Sequence, residues 1–236
     1  MKKSEIDMIG DMLAKGMNIR ADIVPVIGED DEDVLLSTDG IEAQMPVLPV
    51  MEQVLFPGVL TPIAARRPRS RQLLEDVSRS GRHLLVFAQK TNSEEPDEND
   101  LYPVGVVARV LKVFNFRQDT TVAILQGIVR CHSLVVSTYD PYMIGSVTHA
   151  PESDAGMQTE AFKKKVKVLR QQYAETMRSH SQDEDIAQML ANIGSDKIFI
   201  NFAATNIDID VEDKYRMLAA DDYRERVRLM LEQLGA

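Results

Sequence analysis

The sequence predicts an α+β fold in which a strand-rich half precedes a helical one. Three observations predict it. Short apolar and β-branched runs separated by turn residues fill residues 46–150. From Pro151 onward the apolar residues recur at three- and four-residue steps instead. The chain has 236 residues, 44% of them hydrophobic, which is enough to bury a core. Strands first and helices after argue for segregated α+β architecture, with 46–150 and 151–236 as two subdomains. Residues 1–45 read as an extension outside both.

The extension is set apart by charge. It holds eleven acids, from Glu5 to Glu42, against Lys2, Lys3, Lys15 and Arg20. That accounts for −7 of a formal charge of −10, so the remainder is nearly balanced. Ile6, Ile9, Leu13 and Met17 fall at helical spacing. The block Glu29-Asp30-Asp31-Glu32-Asp33 repels itself, and such runs read as solvated and mobile.

In the strand-rich half, Val47–Val50 and Val59–Ala65 read as strands on either side of a turn at Leu55-Phe56-Pro57-Gly58. Ser70 to Val77 reads as a helix, with Ser70 as its cap and Gly81 as its stop. His83–Ala88 has the pattern of a buried strand, and the acidic stretch from Thr91 to Asp100 that of a loop. Val104–Val113 and Thr120–Gln126 predict a hairpin with its tip near Asn115 to Asp119. Gly127–His132, Leu134–Ser137 and Met143–His149 supply further strands. Short strands at regular spacing point to a closed or nearly closed barrel.

In the helical half, Phe162, Val166, Leu169, Tyr173 and Met177 mark one amphipathic helix. Ile186, Met189, Leu190 and Ile193 mark a second, ended by Gly194. Ser195 caps a third containing Ile198, Phe199 and Phe202; Asp210 caps a fourth containing Tyr215 and Leu218. Tyr223, Val227, Met230, Leu231 and Leu234 line the last. Short connections between such helices predict a small bundle.

Composition also narrows function. No basic excess is available to neutralise phosphates, which argues against nucleic acid as a partner. No apolar run approaches the ~20 residues that cross a bilayer, so no membrane partner is expected. No apolar leader is visible at the N-terminus. Cys131, the single cysteine, permits no intrachain disulfide and lies in a strand pattern, as a small buried hydrophobe would. A reducing, cytoplasmic setting fits it. No phosphate-binding G-x-x-x-x-G-K-[ST] loop occurs, and the four histidines are scattered. Asn206 to Asp210 imitates the start of a calcium loop, but Val211 and Met217 stand where Gly and Glu are required. The expectation is therefore no catalytic, cofactor-binding or metal residues in this chain. The lysines Lys163, Lys164, Lys165 and Lys167 read as the solvated face of their helix.

Several segments, in order and spacing, resemble the N-terminal domain of Lon-type ATP-dependent proteases. Leu48-Pro49-Val50 and Leu55-Phe56-Pro57-Gly58 are similar to the family's opening, and Gln89-Lys90 closes a central strand as there. Asp100-Leu101-Tyr102-Pro103-Val104-Gly105-Val106-Val107-Ala108-Arg109-Val110 is similar to a "DLYxVGTVARI" segment. Gln126-Gly127-Ile128-Val129-Arg130 is similar to an "EGLxR" strand, with Gln where Glu is common. Ile198–Phe202, Lys214–Leu218 and Asp222-Tyr223-Arg224-Glu225-Arg226-Val227 follow the helical part of the family.

The resemblance covers about 190 residues. It implies a PUA-like β-barrel followed by helices, and a non-catalytic role in recognising unfolded or damaged protein substrates and in assembling a homohexamer. In the family this region precedes an ATPase that uses ATP and Mg and a Ser-Lys protease. Neither is present here, and the chain stops directly after a helical pattern, as a piece of a longer protein would. A free-standing Lon-domain adaptor is the alternative; an enzyme in its own right lacks a visible constellation. Recognition of unfolded chains requires exposed apolar groups. Two places offer them: the turn with Phe56 and Pro57, and the hairpin residues Phe114 and Phe116. Phe56 and Phe114 are also residues that a core would use, which leaves Phe116 as the first candidate for exposure.

Overall fold

A computed structural model of the chain describes residues 36–117, 119–180 and 193–235. The acidic block and most of the Ile186–Ile193 helix expected from periodicity lie outside those residues. Among them are six strands: β1 (Met45–Val50), β2 (Leu60–Ala65), β3 (His83–Ala88), β4 (Gly105–Arg117), β5 (Thr120–Thr138) and β6 (Ile144–His149). The sheet order is β2-β5-β4-β3-β1-β6. Strands β1 and β3 run parallel, Val47 opposite Leu85, because β2 and helix α1 (Pro68–Ser80) form the crossover between them. Every other pairing is antiparallel.

Strand β5 shapes the sheet. Its first part pairs with β2 and β4, its second with β6, so the pairing returns through β4, β3, β1 and β6 to β5 itself. The sequence reads as separate strands here, whereas the chain makes one strand of 19 residues. The interruption is only a bulge: Ser133 takes φ 55°, and the β6 register slips between His132 and Val135. Burial follows the same division. Thr121 to Cys131 are covered on both faces, and His132 to Thr138 alternate between half-buried and exposed. The β4–β5 turn is tighter than the sequence indicates, since β4 continues to Arg117 and β5 resumes at Thr120.

Helix α1 begins earlier than expected. Pro68 occupies its first turn, where the missing N–H costs nothing, and Arg67 is the N-cap without a side-chain bond. Ser70 therefore lies inside the helix, buried, rather than capping it. Gly81 ends it at φ 68°, as its sequence position predicts. Leu73, Leu74 and Val77 turn inward, and α1 packs on β1, β4 and β5.

The remaining helices are α2 (Glu160–His180), α3 (Asp196–Asn206), α4 (Val211–Ala219) and α5 (Tyr223–Gln233). The caps of the last three satisfy orphan N–H groups. Ser195 accepts from the N–H of Ile198, Asp210 from that of Asp213 and Asp222 from that of Glu225. These four helices pack chiefly on one another. Lys163, Lys164, Lys165 and Lys167 on α2 are exposed.

Among the described residues, the buried apolar ones form three clusters. The largest runs from Leu48, Phe56, Leu73 and Leu125 to Phe162, Leu169, Phe199, Leu218 and Met230, so strands and helices share it. A second belongs to the sheet and its loops, with Met45, Leu85, Phe87, Val107, Cys131 and Met143. A third, small one is made by Leu60, Val122 and Ile124 with Leu111 and Phe114 against it.

Candidate functional site

The turn before β2 lies deep in the protein. Phe56 is fully buried, and Pro57 is buried beside it. Two glycines make this approach possible. A Cβ on Gly127 would lie 2.3 Å from the Phe56 carbonyl oxygen, and one on Gly58 would lie 2.2 Å from Ile198 Cδ1. Gly58 has φ 73°, a left-handed conformation that suits a residue without a side chain. The Gly58 N–H donates to the Gly127 carbonyl at 2.9 Å, which fixes the turn against β5. Phe56 and Pro57 therefore do not form the exposed contact surface expected of them; they join the sheet to the helices.

Around that turn lies a buried charge cluster. Arg226 of α5 is fully buried. Its Nε donates to the Met217 carbonyl at 2.8 Å, its Nη2 to Glu152 Oε1 at 2.9 Å, and its Nη1 to Asn201 Oδ1. Its guanidinium lies 5.3 Å from the ring centres of both Phe56 and Tyr223. Arg130 of β5 donates through Nη1 to the carbonyls of Leu218 at 2.9 Å and Ala220 at 2.7 Å, and through Nε to Ala150 at 3.1 Å. Its Nε stands 3.7 Å from the same Glu152 oxygen. Asn201 Nδ2 donates to the Pro57 carbonyl at 2.9 Å. Buried charge is tolerable only when paired and hydrogen-bonded, and both conditions hold here.

The sequence reading did not single out Arg226, Arg130 or Asn201, although a signal was present for the first. Arg226 stands three residues after Tyr223 and four before Met230, on the apolar stripe of its own helix. A charged residue there is either a flaw in the stripe or the centre of a buried network.

A cleft of about 380 Å³ adjoins this cluster, lined among others by Pro57, Ile128, Val129, Glu152, Lys197 and Tyr223. Lys197 is held by Asp154 at 2.8 Å. No group of three or more His, Cys, Asp or Glu suited to a metal ion occurs among the described residues. Cys131 is fully buried, and burial pushes its thiol up to about 12.

The hairpin candidates lie elsewhere. Phe114 is half-buried on β4, opposite Val122, against the small cluster of Leu60, Val122 and Ile124. Lys112 Nζ lies 5.2 Å from its ring centre. Phe116 is on the same strand two residues further on, and its side chain lies outside the described residues. The structure thus separates the four candidates: Phe56 and Pro57 are inside, and Phe114 is on the far side of the sheet from the large core.

By geometry the chain is an α+β domain in which a mixed six-stranded sheet is seated on a small helical bundle. Its fold matches two solved structures. One is the N-terminal domain of Mycobacterium avium complex Lon protease, with a TM-score of 0.64 and 20% identity over 81% of this chain and 98% of that one. The other is a Lon N-terminal domain protein from Xanthomonas campestris, with a TM-score of 0.55 and 17% identity over 80% and 97%. Lon protease from Porphyromonas gingivalis is 32% identical over 203 residues, which are 84% of this chain and 24% of that protein. Lon protease from Flavobacterium johnsoniae is 28% identical over 230 residues, 96% and 28% respectively. The chain thus spans about a quarter of the length of these relatives. The sequence profile of the ATP-dependent protease La (Lon) substrate-binding domain matches residues 44–235, and the chain belongs to that family.

Proposed function

We propose that this chain is the non-catalytic N-terminal domain of an ATP-dependent Lon protease, and that it contributes to the recognition of unfolded or damaged proteins. The observation that carries this reading is the match of the substrate-binding family over nearly all the residues after the acidic extension. The second part of the reading is that the sheet is a PUA-like barrel, supported by the pairing of β5 with both β4 and β6. Residues 46–150 and 151–236 would be its strand and helix subdomains.

Client contact falls to the outer face of β2, β4 and β5. Leu60, Val122 and Ile124 form a buried apolar cluster there, separate from the large core, and the groups over it, Leu111 and Phe114, are only partly covered. Phe116 extends the same strand toward the turn. Burying one such side chain fully contributes roughly 1.5–3 kcal/mol, so partial contacts with a client are weak and plural. Weak contacts suit a protease that must release and re-grip its substrate. The domain brings no cofactor of its own under this reading; ATP and Mg would serve the ATPase that follows in a full-length, homohexameric protein in the cytoplasm.

The test is a Phe116→Ser variant titrated against reduced, alkylated lactalbumin. The expected result is an unchanged melting temperature with client affinity lowered roughly 3- to 10-fold. Unchanged affinity would remove Phe116 from the contact surface. A large loss of thermal stability would place it in the core.

A further inference from the structure

Four segments that are far apart in sequence converge on one point. Phe56-Pro57-Gly58 comes from the turn before β2, Arg130 from β5, Glu152 from the connection to the bundle, and Arg226 from α5. Away from this point the two halves share the large apolar core, but each also keeps packing of its own. Helix α1 packs on the strands, while α2 to α5 pack chiefly on one another. The sheet keeps a cluster to which the described residues of the bundle contribute nothing, including Met45, Val47, Leu85, Phe87, Val107 and Cys131.

Of the seven hydrogen bonds that these two arginines donate, four go to one target, the C-terminal end of α4. The last carbonyls of a helix have no intrahelical partner. Arg226 takes Met217 and Leu218, and Arg130 takes Leu218 and Ala220. Cations at a helix C-terminus are also favoured by the helix dipole. One of the two cations is anchored in the sheet and the other in the bundle, and Glu152 stands between them. Tyr102, at the loop leading to β4, stacks on Tyr215 of α4 with ring centres 4.1 Å apart and planes at 21°.

We infer that the Arg130–Glu152–Arg226 cluster is a conformational latch: it seats α4 and α5 on the sheet through the end of α4, and its release lets those helices open as a unit from an intact sheet. This holds whatever the domain binds. It also gives the family-like segments around Phe56, Tyr102, Arg130 and Arg226 one shared task. Arg130 is the positioning residue of the latch, because it is the cation that crosses from sheet to helices. The guanidinium forks fix direction as well as distance, which apolar packing alone does not.

Hydrogen exchange on the 236-residue chain tests this with Arg130→Met, Arg130→Lys and Glu152→Gln. Arg130→Met leaves Glu152 paired with Arg226 and leaves the Ala220 carbonyl without its cap. Its amides in residues 211–233 should exchange roughly tenfold faster or more, while those of β1, β3 and β4 keep the parent rate. Arg130→Lys keeps the charge but loses the fork and should fall between parent and Arg130→Met. Glu152→Gln should accelerate the same helices. Equal acceleration throughout the chain would overturn the latch, because sheet and helices would then open as one. An unchanged rate in residues 211–233 would overturn it as well. Failure of both Arg130→Met and Glu152→Gln to fold would also overturn it, since a latch requires a sheet that stands without the seated helices.

Discussion

Tyr173 is a residue the fold holds by its ring alone. It is buried between Phe199 and Phe202, whose ring centres lie 6.2 and 6.4 Å away with near-perpendicular planes. Its hydroxyl is buried with no hydrogen-bond partner among the described residues, and burial pushes its pKa up. An unpaired buried hydroxyl costs about 1–3 kcal/mol. Tyr173→Phe should therefore keep the ring contacts and raise stability in urea denaturation by up to about that amount. A loss of stability would show that the hydroxyl has a partner. The sequence placed this ring correctly on the apolar face of α2 but could not reveal the orphan, because periodicity reports direction and not the partners found at the end. The same limit explains Phe56 and Pro57. An FPG turn reads as surface punctuation, and only the close packing of Gly58 and Gly127 shows that it is interior. The burial of Cys131, by contrast, was legible from the strand around it.

At the scale of elements, caps were the most legible signals. Ser195, Asp210 and Gly81 act where the sequence places them. Ser70 does not, because Pro68 already supplies a good helix start one turn earlier. One of the two breaks read into strand β5 falls at Ser133, where a bulge is indistinguishable from a strand end without its partner. Asp222 tests the cap of α5. It accepts the Glu225 N–H at 2.9 Å and is paired with Arg224 at 2.8 Å. Those bonds, that to Arg224 first, hold its carboxyl below the usual aspartate range. A carboxylate with a lowered folded-state pKa stabilises the fold above its unfolded value, about 4. That stability is lost as the pH falls through the folded value. Asp222→Ala should cost about 1 kcal/mol at neutral pH. The difference from the parent should shrink as the pH drops below about 4. Guanidinium melts at pH 7 and pH 3 check this, and a difference that grows on acidification would refute it.

For the whole molecule, the α+β order was legible because, apart from the early helix α1, the apolar residues keep a strand pattern up to Pro151 and a helical one after it. The seam between the two halves was not, since it depends on Arg130 and Arg226, which are 96 positions apart and meet at Glu152 and at the Leu218 carbonyl. The outer-face cluster was half legible: the β pattern put Phe114 on a strand near the hairpin tip, and pairing with β5 added Val122 and Ile124. The central claim is that this domain binds protein for being unfolded. It is tested most directly by titrating the purified chain, with no ATP or Mg present, into fluorescently labelled lactalbumin in two forms and following anisotropy. The reduced, alkylated form should bind saturably and weakly, with a Kd on the order of micromolar or above, and the native form should not bind. Equal binding of both forms, or binding of neither, would contradict the account.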